Sequence, residues 1–144
     1  MKNLLPLFTL LLAFACSQPR STESFIRGEG PYEFTVDMTD STSAYSFDLF
    51  TRIDATEFPA RLPLNVKWLA PEGSSFTEIV YLPVERGSAF FSQESYAPYR
   101  VDVVPAVPGI WTVTVTVPNP PEGLRGMGLV VRRSPLNVQT ADNQ

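Results

Sequence analysis

The sequence predicts an all-β protein, an antiparallel, immunoglobulin-like β-sandwich of about seven strands. Three observations carry that expectation. Apolar and polar residues alternate with period two in several short runs. Turn signals punctuate those runs, with 14 Pro and 8 Gly among 144 residues. Beyond residue 30 no stretch carries an apolar stripe at helical spacing.

The chain opens on a segment of another kind. Lys2 supplies a short positive region, and Leu4 to Phe14 form an apolar run broken only by Pro6 and Thr9. That run is too short to span a bilayer, which takes roughly twenty apolar residues. It fits the apolar region of a secretory signal instead. It ends Ala13-Phe14-Ala15-Cys16, with the chain's one cysteine directly after the small residue. This resembles a lipobox, in which cleavage before the cysteine frees it for acylation. The alternative is a plain secretory signal with an incidental Cys16. On the lipobox reading, residues 1–15 are the signal peptide and Cys16 is the lipid attachment point. Ser17 follows, where an aspartate would act as an inner-membrane retention signal, so the outer membrane is expected. No acidic cluster follows to mark export, which points to the periplasmic face.

Residues 16–30 are polar and carry Pro19, Gly28 and Gly30, the composition of a flexible tether. The sandwich is expected over residues 31–134. Tyr32, Phe34, Val36 and Met38 alternate with Glu33, Thr35 and Asp37, a half-buried strand ended by the turn cluster Thr39 to Ser43. Tyr45, Phe47 and Leu49 open a second strand running to Ile53. Leu64, Val66 and Trp68 form a third, closed by Ala70-Pro71-Glu72-Gly73-Ser74. Phe76, Glu78, Val80 and Leu82 share one face of a fourth, with Ile79 and Tyr81 on the other. Glu85 to Pro98 has no period. Tyr99, Val101 and Val103 make a fifth strand. Trp111, Val113, Val115 and Val117 against Thr112, Thr114 and Thr116 make the cleanest of all. Met127, Leu129 and Val131 supply the last, before a polar tail over residues 135–144.

Composition narrows the chemistry. A hydrophobic content of 44% with 12% aromatics can bury a core, so disorder is excluded. A net charge of −4 argues against nucleic acid as a partner. With no histidine, the commonest general base and metal ligand are absent. One cysteine allows neither an internal disulfide nor a thiolate cluster. A serine nucleophile would need Lys67, the only lysine beyond the leader, and its place between Val66 and Trp68 reads as a solvent-facing strand position. Acidic neighbours such as Asp37 with Asp40, or Asp54 with Glu57, read as turn caps and solvated faces. No enzymatic activity, cofactor or metal is expected.

Two features point to contact with partners. Arg125, Arg132 and Arg133 place positive charge near the last strand, and arginine suits interfaces. Phe90, Phe91, Tyr96 and Tyr99 flank the aperiodic segment and either cap one end of the sandwich or form an exposed aromatic patch. Phe90, Phe91 and Arg100 are the candidate partner-binding residues.

Several stretches together resemble a known family. Tyr32 to Asp40 with Tyr45 to Arg52, then Leu64 to Gly73, Gly109 to Val113, and Leu124 to Val131 are similar, in that order, to the gliding-motility H lipoproteins of Bacteroidota. The resemblance covers most of residues 32–133. It implies an accessory envelope lipoprotein linked to gliding motility and its associated secretion apparatus, with other envelope proteins as partners and no catalytic residues. The alternative is a carbohydrate- or polymer-binding lipoprotein module.

Overall fold

The structure, a computed structural model, describes residues 20–54, 59–84 and 93–136. It holds eight strands: β1 (Ser21–Arg27), β2 (Tyr32–Met38), β3 (Ser43–Ile53), β4 (Arg61–Leu69), β5 (Ser75–Pro83), β6 (Gln93–Val103), β7 (Gly109–Thr116) and β8 (Leu124–Pro135). They form two four-stranded sheets, β1-β8-β3-β6 and β2-β7-β4-β5, with every pairing antiparallel.

An antiparallel all-β sandwich is therefore what forms, but with eight strands and a different order from the immunoglobulin one. In an immunoglobulin sandwich the first two strands lie side by side. Here β1 pairs with β8, β2 with β7, β3 with β6 and β4 with β5. The chain is one long hairpin, bent at Pro71–Ser74 and rolled up, the order of an eight-stranded jelly roll.

The additional strand, β1, lies inside the stretch expected to be a tether. Its residues carry no alternating apolar signal because it is an edge strand, exposed over Ser21–Ser24 and half-buried only at Phe25 and Ile26. Backbone pairing with β8 holds it, Ser21 opposite Arg132 through Arg27 opposite Gly126. The backbone pairing extends to Arg20, whose carbonyl accepts from the Arg133 N–H at 2.7 Å. Likewise β6 begins at Gln93 rather than Tyr99, and β8 runs to Pro135, one residue past the expected boundary.

Strict alternation worked where one side of a strand is buried. Tyr32, Phe34, Val36 and Met38 of β2 face Phe47, Leu49, Met127 and Leu129 of the other sheet, with Leu62, Leu64, Val66, Val113 and Val115 completing the buried layer. Lys67, on the outer side of β4 opposite Thr77 and Thr114, is exposed, as that alternation requires.

Strand directions alternate, so the molecule has two distinct ends. Ser21, Met38, Ser43, Leu69, Ser75, Val103, Gly109 and Pro135 lie at one, which we call the entry end because β1 begins there. The turns at residues 39–42, 70–74 and 104–108 close it. The opposite, far end carries Arg27, Tyr32, Ile53, Arg61, Pro83 and Leu124. The sandwich also has two open sides, one between edge strands β1 and β2 and the other between β5 and β6.

Candidate functional site

Cys16, Phe90 and Phe91 lie outside the described residues, as do the signal peptide and the segment 137–144. Arg100 is placed, on the open side between β5 and β6. Its guanidinium reaches across to Glu78, with Nη2 at 2.7 Å from both carboxylate oxygens and Nε at 3.3 Å from Oε1. The Tyr99 hydroxyl donates to the same carboxylate and accepts the Trp68 indole N–H at 2.9 Å. On a regular strand, neighbours such as Tyr99 and Arg100 face opposite ways. Both reach Glu78 here because the register of β6 shifts opposite Phe47, an irregularity of the kind that re-aims side chains.

Burial alone would raise the Glu78 carboxyl, but the hydrogen bonds from Arg100 and Tyr99 outweigh it and hold the group below the usual carboxylate range. Burial, reinforced by the Glu78 charge, pushes the Tyr99 hydroxyl up. The result is a hydrogen-bonded chain from a buried indole to a half-exposed ion pair. Aromatic rings surround it. Phe47 and Trp111 meet Trp68 edge-on at 5.1 and 6.2 Å, Phe76 and Tyr99 stack on it at 6.2 Å, and Arg100 lies over Phe76 at 5.8 Å. The cluster clamps the two edge strands together across the open side.

The sequence alone marks Arg100 as a surface residue and does not disclose that Glu78 is its partner. The signal was present in Glu78, a carboxylate on the core-facing side of an otherwise apolar series, Phe76, Val80 and Leu82. A charge in that position requires a counter-ion from the facing sheet.

The arginines near the last strand are paired rather than presented as one positive patch. Arg125 meets Asp54 at 2.7 Å, Arg132 binds Asp48 through both terminal nitrogens at 2.6 and 2.8 Å, and Arg133 meets Asp40 at 3.1 Å. Asp37 and Asp40 cap turns. Asp37 accepts from the Thr39 N–H and hydroxyl, and Asp40 from the Thr42 N–H and the hydroxyls of Thr42 and Ser43. Those bonds, with Arg133 beside them, bring the Asp40 carboxyl down to about 2.

A second aromatic group crosses the outer face of the first sheet. Phe25, Gly128, Phe50 and Tyr96 form one cross-strand row over β1, β8, β3 and β6. Gly128 leaves room for Phe25 and Phe50 to lean together at 5.7 Å, and Tyr96 stacks on Phe50 at 4.6 Å. Phe50 is consequently buried although it points away from the core.

Buried tyrosines make the fold sensitive to alkali. Burial pushes Tyr32, whose hydroxyl donates to the Gly28 carbonyl at 2.5 Å, up to about 12, and raises Tyr45 and Tyr99 as well. The folded state favours the neutral phenol, so this stabilisation is complete below pH 10 and is lost as pH rises from 10 through 12. The melting temperature should fall over that interval, with a shallower fall for Tyr32→Phe. Parallel curves for the two proteins would rule out Tyr32 as a source.

No family model, curated protein or solved structure matches the chain.

Proposed function

We propose that the protein is a non-enzymatic lipoprotein, anchored through Cys16 at the periplasmic face of the outer membrane. It serves as an accessory component of a gliding-motility or secretion-type envelope assembly, through contacts with other envelope proteins. The observation that carries this reading is the make-up of edge strand β5. On the outward side of its far-end half it displays Ile79 and Tyr81, both well exposed, and among the described strands it pairs only with β4. An extended segment of a partner can add to such an edge through backbone hydrogen bonds, with Ile79 and Tyr81 giving side-chain contact. The lipobox-like Cys16 and the resemblance to gliding-motility H lipoproteins support the envelope setting. Anchoring confines the domain near the membrane and raises its effective concentration for neighbours there.

Glycan binding, the alternative, calls for aromatic faces turned to solvent. Phe25, Phe50 and Tyr96, and likewise Trp68, Phe76 and Tyr99, stack against one another at 13–27°. Their arrangement favours a protein partner.

The test is co-purification from detergent-solubilised envelopes with wild type and the double variant Ile79→Asp, Tyr81→Ala. Recovery of motility or secretion-apparatus proteins by wild type, and their loss with a variant of unchanged melting temperature, is the expected result. Equal recovery by both proteins would remove β5 from the interface. Retention on a glycan array with no protein recovered would favour the carbohydrate reading.

A further inference from the structure

We propose that the entry end of the sandwich itself rests in the lipid surface, with Leu69, Val101, Val104 and Ile110 as its apolar contact. The proposal rests on the reading of Cys16 as the lipid attachment point. Its first argument is a length. Because Arg20 is hydrogen-bonded to β8, three residues of sequence, 17–19, lie between that anchored position and Cys16. Fully extended, the four links from Cys16 to Arg20 reach roughly 14 Å. The polar layer on each side of a bilayer is itself about 5–8 Å thick. An acylated Cys16 therefore holds the entry end at or in the headgroups, with little freedom to leave.

The second argument is where the exposed apolar side chains are. Leu69, Phe76, Val101, Val104 and Ile110 are 39–64% exposed, and each lies within three residues of an entry-end strand terminus. Ile79, Tyr81 and Tyr96, the other large exposed hydrophobic side chains among the described residues, lie nearer the middle or the far end. Soluble domains scatter such residues singly. Here they gather around the terminus to which the lipid is attached.

The third argument concerns polar groups. Turns at this end carry Pro71, Pro105 and Pro108, which have no N–H to desolvate. Arg132 and Arg133 are neutralised by Asp48 and Asp40. Arg20, Glu72 and Asp102 are exposed at the same end and stay in the headgroup layer. The contact side chains themselves are apolar and are buried at the boundary between headgroups and acyl chains as interfacial elements do. Such a contact needs no anionic lipid, and salt should not weaken it.

Cys16 is the only cysteine and is consumed by acylation, so single introduced cysteines can be labelled cleanly. The full acylated chain, carrying Val104→Cys, Ile110→Cys or, at the far end, Glu122→Cys, is reconstituted into phosphatidylcholine vesicles with and without phosphatidylglycerol. Each cysteine bears an environment-sensitive fluorophore. The expected result is blue-shifted emission, quenched by nitroxide lipids, at positions 104 and 110 and water-like emission at 122. The pattern should be the same in both vesicle types and at high salt. Water-like emission at all three positions of an anchored protein overturns this proposal and leaves the anchoring intact. A shift confined to phosphatidylglycerol vesicles overturns the apolar contact. A chain whose Cys16 takes up no palmitate overturns the anchoring and this proposal together.

Discussion

Trp68→Ala should cost about 3–5 kcal/mol of folding free energy, the range for deleting a large buried aromatic. For a domain of this size that is a fall in melting temperature of roughly 10 °C or more. The ring is 3% exposed and is touched by Phe47, Phe76, Tyr99 and Trp111, so its removal opens a cavity that four rings line. It also takes away the indole N–H that the Tyr99 hydroxyl accepts, loosening the chain that ends in the Glu78–Arg100 pair. Chemical denaturation of wild type and variant measures the effect. A loss below about 1 kcal/mol would mean that Trp68 is a surface residue, contrary to its burial.

Gly128→Ala should destabilise by about 1–3 kcal/mol, although alanine suits most backbone positions. A Cβ at residue 128 would lie 2.0 Å from the Phe50 Cζ and 2.1 Å from its Cε1. Phe50 has nowhere easy to go, since Phe25 and Tyr96 stack on its two faces. The ring would have to tilt and the row across the sheet would open. Phe50→Leu, by shortening the side chain, should make Gly128→Ala much less costly. In a double-mutant cycle the two changes together should cost less than their sum. Additive losses would show that the added methyl acts by some route other than the Phe50 ring.

The same two positions show what the sequence could and could not disclose. Strands β2 and β7 were legible because one side of each is buried, so apolar residues recur at every second position. Trp68 belongs to such a series and reads as core. Strand β1 was not legible. An edge strand with both sides near solvent has little apolar patterning, and its pairing with β8 lies in the backbone. The strand order was equally hidden, because a rolled hairpin brings together residues far apart in the chain, such as Ser21 and Arg132. Phe50 read as an outward-facing residue. That it is buried depends on glycine at position 128, on a strand that no local pattern sets beside it. The Glu78–Arg100 pair was half-visible, as a carboxylate out of place on an apolar face. Its arginine, 22 residues further along, carries no local sign of the pairing.

The nested pairing of strands also sets the order of assembly. Of the strands that pair with one another, only β4 and β5 are joined by a tight turn, at residues 70–74, so they are the one pair that can zip locally. Each further pair, β3 with β6, β2 with β7 and β1 with β8, encloses all of the chain between, and the entropy of closing it grows with every layer. Folding therefore runs outward from the centre of the chain to its two termini. A polypeptide delivered N-terminus first cannot complete either sheet early, because β1 waits for β8, the last strand to arrive. If exported as proposed, such a chain would stay threadable throughout its passage and seal only once β8 had crossed.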